Sequence, residues 1–127
     1  MSLLDNIRKD IESYGISPEN FMVLELLYSK GPHPVQRISD RLSIPSGSIT
    51  YVMDKLEKKG LVERQPNPED RRASNVVLTE KGKELFDAIF PKHVATISRN
   101  LSFISKDEKE QLIEMLKRIG IGAEDLQ

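Results

Sequence analysis

The chain has 127 residues, of which 38% are apolar, and this size and composition predict one domain with a modest core. It contains no cysteine, which excludes disulfides and a thiol-based sensor, and with only two histidines no metal site or other cofactor is expected. Its net charge of −1 gives no general attraction for nucleic acids or membranes. No segment approaches the roughly 20 apolar residues that span a bilayer, and no signal peptide precedes the first helix, so we expect a cytoplasmic protein.

Two amphipathic helices are predicted at the start of the chain. The first ends before Gly15, and its apolar stripe consists of Leu3, Leu4, Ile7 and Ile11. The second begins at Ser17 and Pro18, because serine is a good N-cap and the first helical turn tolerates proline. The apolar face of this second helix consists of Phe21, Val23, Leu24, Leu27 and Tyr28. His33 and His93 are expected at the surface or at an interface.

The following segment has the layout of a helix-turn-helix. Residues 35–42 carry one apolar stripe after Pro34, and residues 43–45 interrupt the pattern. A second helix is predicted from an N-cap at Ser46 to a stop at Gly60. The connection between the two helices is short, as the motif requires.

The second helix of this pair has two different sides. Its core side consists of Ile49, Val52, Met53 and Leu56. Its outward side consists of Ser46, Gly47, Ser48, Thr50, Tyr51, Asp54, Lys55 and Lys58. Hydroxyls, an aromatic ring and lysines on one face form a surface that can enter a major groove, bind phosphates and read base edges. The alternative is an ordinary amphipathic helix with a solvated polar face.

A β-hairpin is predicted directly after this helix. Residues 61–64 and 74–78 are the two candidate strands, and regular structure is not expected for the intervening Pro66, Asn67 and Pro68. A hairpin that follows a helix-turn-helix is typical of a wing, which supports a nucleic-acid interpretation of both elements.

The predicted tip of the hairpin carries one acid and two adjacent arginines. Asp70 can hold one guanidinium by a bidentate pair while the other stays free, and either Arg71 or Arg72 then suits a phosphate or a narrow minor groove. The alternative is a solvated loop with a weak surface ion pair.

The rest of the sequence predicts two helices whose apolar stripes need a second subunit to pack against. Thr79 is expected to cap a long helix, which Pro91 should kink or split. Ser105 and Glu108 form a capping box for a last helix. The apolar stripes of these two helices consist of Leu85, Phe86, Ile89 and Phe90, and of Leu112, Met115, Leu116 and Ile119. Stripes at both chain ends have few surfaces to bury against within one subunit, so a homodimer is expected.

The charge is distributed unevenly along the sequence. Residues 35–72 contain eight Lys and Arg against six Asp and Glu, a balance of +2, whereas the remainder carries −3. The asymmetry is small, so nonspecific binding to DNA should be weak and a dimer should be needed for useful affinity.

The joined segment LSIPSGSITYVMDKLEKKGLVERQPNPEDRRASNVVLTEKG resembles the winged helix-turn-helix core of the MarR family of bacterial transcriptional regulators. The family's wing is marked by an Asp-Arg-Arg run and a Leu-Thr-x-x-Gly closure, which are present here as residues 70–72 and as Leu78, Thr79 and Gly82. The resemblance extends from about Leu3 to Ile119. It implies an obligate homodimer on a pseudo-palindromic operator, usually a repressor released by a small molecule or by oxidation.

The resemblance implies that the base and phosphate contacts of the family are made here by Ser46, Ser48, Thr50, Tyr51 and Lys55. It implies a wing contact at Arg71 or Arg72. The complete predicted DNA-binding set is Arg37, Ser46, Gly47, Ser48, Thr50, Tyr51, Lys55, Lys58, Arg71 and Arg72, with Asp70 organising the wing. By the same resemblance, an effector pocket for an aromatic or phenolic compound is lined by Phe21, Tyr28, Phe86 and Phe90. The alternative for these four residues is plain core packing.

The predicted fold is mainly α with a small β-hairpin wing, an α+β winged helix-turn-helix with flanking dimerisation helices. Residues 1–127 form one domain, with a DNA-binding core at 17–82 and dimerisation helices at 1–14 and 83–120. The sequence contains no P-loop, no nucleophile elbow and no metalloprotease motif, so an enzyme is not expected. The rival interpretation is a winged helix that contacts another protein without reading DNA.

Overall fold

The computed structural model describes residues 2–126, except for the side chains of residues 70–73, 124 and 125. The chain is mainly helical with one small sheet, as predicted. The elements in chain order are α1 (Leu3–Ser13), α2 (Pro18–Lys30), β1 (His33–Pro34), α3 (Val35–Leu42), α4 (Ser46–Lys58), β2 (Val62–Asn67), β3 (Asp70–Leu78), α5 (Glu80–Asn100) and α6 (Lys106–Asp125). None of these helices is both long and apolar enough to cross a membrane.

The sheet is antiparallel with the strand order β1-β3-β2. Strands β2 and β3 form the predicted hairpin, but both strands are longer than expected. β2 includes Pro66, which lies opposite Ser74, and Asn67, and β3 begins at Asp70 rather than at Ser74. The exclusion of Pro66 and Asn67 from regular structure is therefore wrong. β2 is an edge strand, and an edge tolerates proline because one side of its backbone has no partner strand. The two-residue strand β1 was not predicted, because two residues show no periodicity.

The helix-turn-helix differs from the prediction by one residue at each cap. α3 begins after Pro34, which is its N-cap rather than its first residue, and α4 begins after Pro45 rather than after Ser46. Both prolines have an extended ψ of 147°, which a cap requires. The turn is closed by Ser39, whose hydroxyl donates to the carbonyl of Ile44.

The hydrophobic core lies between α2, α3, α4, the sheet and the first half of α5. Its fully buried side chains are Val23, Leu24, Ile38, Met53, Leu56, Val76 and Phe86. Except for Val76 of β3, these residues come from the apolar sides that helical spacing predicts, so the core confirms the predicted helix faces.

The end of the wing is joined tightly to the start of α5. Thr79 caps α5 as predicted, because its hydroxyl oxygen accepts from the backbone N–H of Gly82 at 3.1 Å. The same hydroxyl donates to the carbonyl of Gly60 at 2.6 Å, and the Thr79 backbone N–H donates to the carbonyl of Leu61 at 3.1 Å. The Lys81 ammonium donates to the Lys59 carbonyl at 2.8 Å. The closing motif therefore fastens α5 to the chain between α4 and β2.

A partly buried polar cluster joins α1 to α5. The carboxylate of Asp10 accepts hydrogen bonds from Tyr14 at 2.9 Å, from Thr96 at 2.8 Å and from the ring of His93 at 2.9 Å. Burial raises the pKa of Asp10, but the hydrogen bonds from His93, Thr96 and Tyr14 outweigh burial and hold the pKa below its usual 3.8. Burial, followed by the bond to Asp10, raises the pKa of Tyr14 to about 12. An ionised carboxylate therefore ties the two helices together.

The placement of both histidines at the surface is wrong. His93 and His33 are each only 7% exposed. The ring of His33 is held by the Gly31 carbonyl at 2.7 Å and by Arg41 at 3.0 Å. Buried polar groups need hydrogen-bond partners, and no periodic sequence pattern indicates these partners, whether they are near in sequence as for His33 or distant as for His93 and Asp10.

Helix α5 continues through Pro91 from Glu80 to Asn100, so of the two predicted outcomes, a kink or a split, the split does not occur. The proline removes one backbone hydrogen bond. The loss is offset because both halves of the helix are anchored, the first by buried Phe86 and Ile89 and the second by His93.

Helix α6 begins with the predicted capping box. The Ser105 backbone N–H donates to the Glu108 carboxylate at 2.7 Å, and the Glu108 backbone N–H donates to the Ser105 hydroxyl at 3.1 Å. Its apolar side chains are exposed in the single chain, namely Leu112, Ile113, Met115, Leu116, Ile119 and Ile121. Leu3 and Leu4 of α1 are exposed as well.

Candidate nucleic-acid interface

The outward side of α4 is built as the sequence predicts. Its exposed side chains and glycine are Ser46, Gly47, Ser48, Thr50, Tyr51, Asp54, Lys55 and Lys58. Tyr51 is 69% exposed, an unusual position for a large aromatic side chain, whereas Ile49 and Met53 on the other side are buried. The helix therefore presents hydroxyls, one phenol and two lysines together on one solvent-exposed face.

The first turn of α4 has backbone N–H groups that no capping side chain binds. Its N-cap, Pro45, has no side-chain hydrogen bond to the helix, so the first backbone N–H groups are left for an external acceptor. These groups lie at the positive end of the helix dipole, which favours phosphate. The Thr50 hydroxyl donates to the Ser46 carbonyl at 3.1 Å and keeps its lone pairs free to accept from a base.

Arg64 on β2 links the wing to α4. Its guanidinium lies 3.0 Å from the Asp54 carboxylate and 3.2 Å from the Glu57 carboxylate. Both acids belong to α4, so one arginine bridges the hairpin and the helix. The sequence prediction omitted this residue. The available signal is the pair of acids three residues apart on one helix face, followed by an arginine in the first strand.

The wing tip is only partly described. The predicted roles of Asp70, Arg71 and Arg72 concern side chains that lie outside the described residues. The backbone of these three residues belongs to β3. The preceding turn is organised by Asn67, whose side-chain oxygen accepts from the Glu69 backbone N–H at 2.9 Å.

The other predicted contact residues lie at the margins of this surface. Arg37 is exposed in the first turn of α3, and Lys58 is exposed in the last turn of α4. Arg41, which was not among the predicted contacts, is exposed and also contacts the ring of His33 at 3.0 Å, so it joins α3 to β1.

The four residues predicted to line an effector pocket form a ring cluster between α2 and α5. The ring centroids of Phe21 and Phe86 are 5.2 Å apart, those of Tyr28 and Phe86 are 5.3 Å apart, and those of Tyr28 and Phe90 are 5.5 Å apart. Phe21 and Phe86 are buried, as core packing requires. Tyr28 and Phe90 keep a solvent-exposed part. The Tyr28 hydroxyl donates to Asp87 at 2.6 Å, which raises the pKa of Tyr28.

Comparison with protein families gives a match to the MarR family over residues 16–74. The HTH-type transcriptional regulator MhqR of Bacillus subtilis (strain 168) is 48% identical over 122 residues, which cover 96% of this chain and 84% of that protein. The transcriptional repressor MprA of Escherichia coli (strain K12) is 33% identical over 119 residues, which cover 92% and 68% of the two chains.

Solved structures show the same architecture. Sco3205, a MarR family regulator from Streptomyces coelicolor solved in complex with DNA, has a TM-score of 0.82 at 20% identity and covers 93% of this chain and 76% of its own. NadR, solved in complex with 4-hydroxyphenylacetate, has a TM-score of 0.82 at 22% identity and covers 92% and 83%. The fold, the family match and the two relatives agree, and the chain belongs to the MarR family of winged helix-turn-helix transcriptional regulators.

Proposed function

We propose that the protein is a cytoplasmic, homodimeric repressor that binds a pseudo-palindromic operator and is released by a small aromatic compound. The observation that carries this proposal is the exposed face of α4, where Thr50, Tyr51 and Lys55 lie together beside the wing. MprA, a relative that is named a repressor, supports the direction of regulation. A regulator that acts by occupying DNA needs no catalytic group.

The homodimer is supported by the apolar side chains that the single chain leaves exposed. Leu112, Leu116 and Ile119 on α6 recur at helical spacing, and Leu3 and Leu4 add to the exposed apolar surface. Exposed apolar patches of this kind mark interfaces. We infer that residues 17–82 form the reading head, that residues 1–14 and 83–120 form the dimer arms, and that the two α4 helices enter successive major grooves about 34 Å apart.

The side chains of the reading head are expected to make two kinds of contact, some with base edges and others with phosphates. Thr50 and Tyr51 are placed to contact base edges, because they lie on the exposed face within two turns of the start of the helix. Lys55 and Lys58 are suited to phosphates, since an ammonium on a long stem acts as a point charge. In the wing, Asp70 is proposed to hold one of Arg71 and Arg72 while the other reaches the minor groove or its phosphates.

Replacing Thr50 or Tyr51 with Ala should weaken operator binding by about 1 to 3 kcal/mol for each lost base contact, and should weaken binding to random DNA much less. Both side chains are exposed, so the fold should be unaffected. Lys58→Ala is the matched control, because a lost phosphate contact weakens binding to both DNAs alike. Fluorescence anisotropy on operator and random duplexes measures the two affinities. Equal losses on both duplexes for all three variants would contradict the proposed division of roles.

The same titrations at several salt concentrations test the rival function, a winged helix that contacts protein. A DNA-binding surface releases counterions, so the logarithm of affinity should fall steeply with the logarithm of salt concentration. A flat salt dependence, with no promoter fragment bound in preference to random DNA, would support the protein-contact alternative.

Ligand release is proposed through the ring cluster of Tyr28, Phe86 and Phe90, from the side that Tyr28 and Phe90 leave accessible. The complex of NadR with 4-hydroxyphenylacetate shows that this fold accommodates a phenolic compound. A ligand changes operator affinity only if it prefers one spacing of the two heads. We expect phenolic compounds at millimolar concentration to weaken operator binding reversibly, and an unchanged affinity across a panel of such compounds would remove this part of the proposal.

A further inference from the structure

A cleft of 480 Å³ opens between the start of α2 and the outward side of α4. The polar side chains in its walls are those of Ser17, Glu19, Asn20, Ser48, Tyr51 and Lys55. The cleft therefore lies directly beside the face that is proposed to read bases, and it adds α2 to the elements that border this face.

Asn20 is the unusual residue in this cleft. It is only 3% exposed, and its backbone N–H donates to the Ser17 hydroxyl oxygen at 3.2 Å. Its side-chain amide lines the cleft but makes no hydrogen bond within the part of the chain that the structure describes. No side-chain nitrogen or oxygen among the described residues is both fully buried and without a partner, so the polar atoms of the Asn20 amide are accessible from the cleft. The amide NH₂ group can therefore donate to water or to a bound group that accepts hydrogen bonds.

The neighbours of Asn20 favour an anion. The Ser17 hydroxyl accepts as the N-cap of α2, so its own proton remains free to donate. Lys55 supplies a positive charge, and the Ser48 and Tyr51 hydroxyls add two further donors to the wall. The start of α2, a helix of 13 residues, contributes its positive dipole end. Glu19 is the one acidic residue in the wall, and it is exposed, so solvent screens its charge.

We propose that this cleft binds one backbone phosphate of the operator in each half-site. In this arrangement Asn20, Ser17 and Lys55 donate to the non-bridging oxygens, while Tyr51 and Ser48 continue into the major groove. A phosphate held here fixes the depth and register of α4 without carrying sequence information itself. The inference rests on the proposed function, because it requires that α4 faces DNA.

The test is Asn20→Asp, which keeps the side-chain shape, removes the amide donor and adds a negative charge. Asn20 is the third residue of α2, where a carboxylate suits the helix dipole, so the fold should be retained and thermal unfolding checks this. The matched control is Ser29→Asp, which adds the same charge at the exposed far end of the same helix. We expect Asn20→Asp to weaken binding to operator and random DNA by about tenfold or more, and Ser29→Asp to weaken it by less than about threefold.

A second arm identifies the phosphate. Operator duplexes are prepared with a single neutral methylphosphonate at each backbone position in turn. For the unsubstituted protein, one position per half-site should lower affinity. For Asn20→Asp, the same position should restore affinity, because the repulsion between the carboxylate and the phosphate is gone. Equal losses for Asn20→Asp and Ser29→Asp, or a loss that no methylphosphonate position relieves, would overturn the proposal.

A third arm separates the DNA backbone from a free anion. If inorganic phosphate at millimolar concentration perturbs the Asn20 side-chain amide in NMR spectra while Asn20→Asp binds the operator normally, the cleft binds free phosphate and the DNA assignment is wrong. The unsubstituted protein keeps the two hypotheses distinguishable. If it binds an operator specifically and Asn20→Asp is unaffected, only the phosphate site fails. If it binds no DNA specifically, the proposed function fails first and the phosphate site with it.

Discussion

Replacing Gly82 with Ala is expected to lower the free energy of unfolding by about 3 kcal/mol or more, a large part of the stability of a small domain. A Cβ at Gly82 would lie 2.3 Å from the carbonyl oxygen of Leu61 and 2.9 Å from a methyl carbon of Leu78. The closest of these atoms is backbone, so it cannot move aside as a flexible side chain can. The same carbonyl accepts the backbone N–H of Thr79, so any shift also disturbs the cap of α5.

Gly120→Ala is the matched control for this substitution. Gly120 also lies within a helix, but a Cβ there would meet no atom within 4 Å. Alanine should therefore stabilise α6 by about 0.5 to 1 kcal/mol through its better helix propensity. Chemical denaturation of both variants measures the difference. A Gly82→Ala protein as stable as its parent would show that the wing and α5 are joined more loosely than the structure indicates.

The second large effect is expected at α6, where Leu116→Glu should convert the dimer into a folded monomer. Leu116 is 58% exposed in the single chain, so the substitution leaves the subunit core intact while it places a charge in the proposed interface. A monomer loses the advantage of two linked half-sites, and operator affinity should fall by about a hundredfold or more. Light scattering and fluorescence anisotropy measure the mass and the affinity.

Lys117→Glu provides the control for this experiment. It introduces the same side chain at the next position of α6, about 100° around the helix, and changes the net charge by a larger amount. If Lys117→Glu lowered operator affinity as much as Leu116→Glu, the effect would come from charge. If Leu116→Glu remained a dimer with full affinity, α6 would not form the interface.

Helix positions and helix faces were predictable because they depend on local rules. The spacing of Ile49, Val52, Met53 and Leu56 defined the buried side of α4, and the capping box at Ser105 defined the start of α6. Both signals lie within a few consecutive residues of the sequence.

Features that depend on contacts between distant residues were missed. Arg64 reaches Asp54 and Glu57 only because the hairpin folds back over α4. Asn20 borders the outward side of α4 only because α2 packs beside that helix. The two-residue strand β1 exists only through its pairing with Val76 and Asn75. Pro66 was misplaced because the propensity against proline in strands is weaker at an edge than in the centre of a sheet.

The hydrogen bonds between α5 and residues 59–61 couple a movement of α5 to the proposed DNA-binding surface. Because Thr79 and Lys81 bond to the carbonyls of residues 59–61, α5 cannot change its tilt without carrying the hairpin and the end of α4 with it. α5 has 21 residues and is therefore about 30 Å long. A tilt of roughly 5° displaces its far end by about 3 Å, close to the 3.4 Å rise between base pairs. In a dimer, a rigid rotation of a few degrees in each α5 helix would therefore change the distance between the two α4 helices. The two α4 helices would then no longer fit the two half-sites, although residues 17–82 of each subunit stay fully folded.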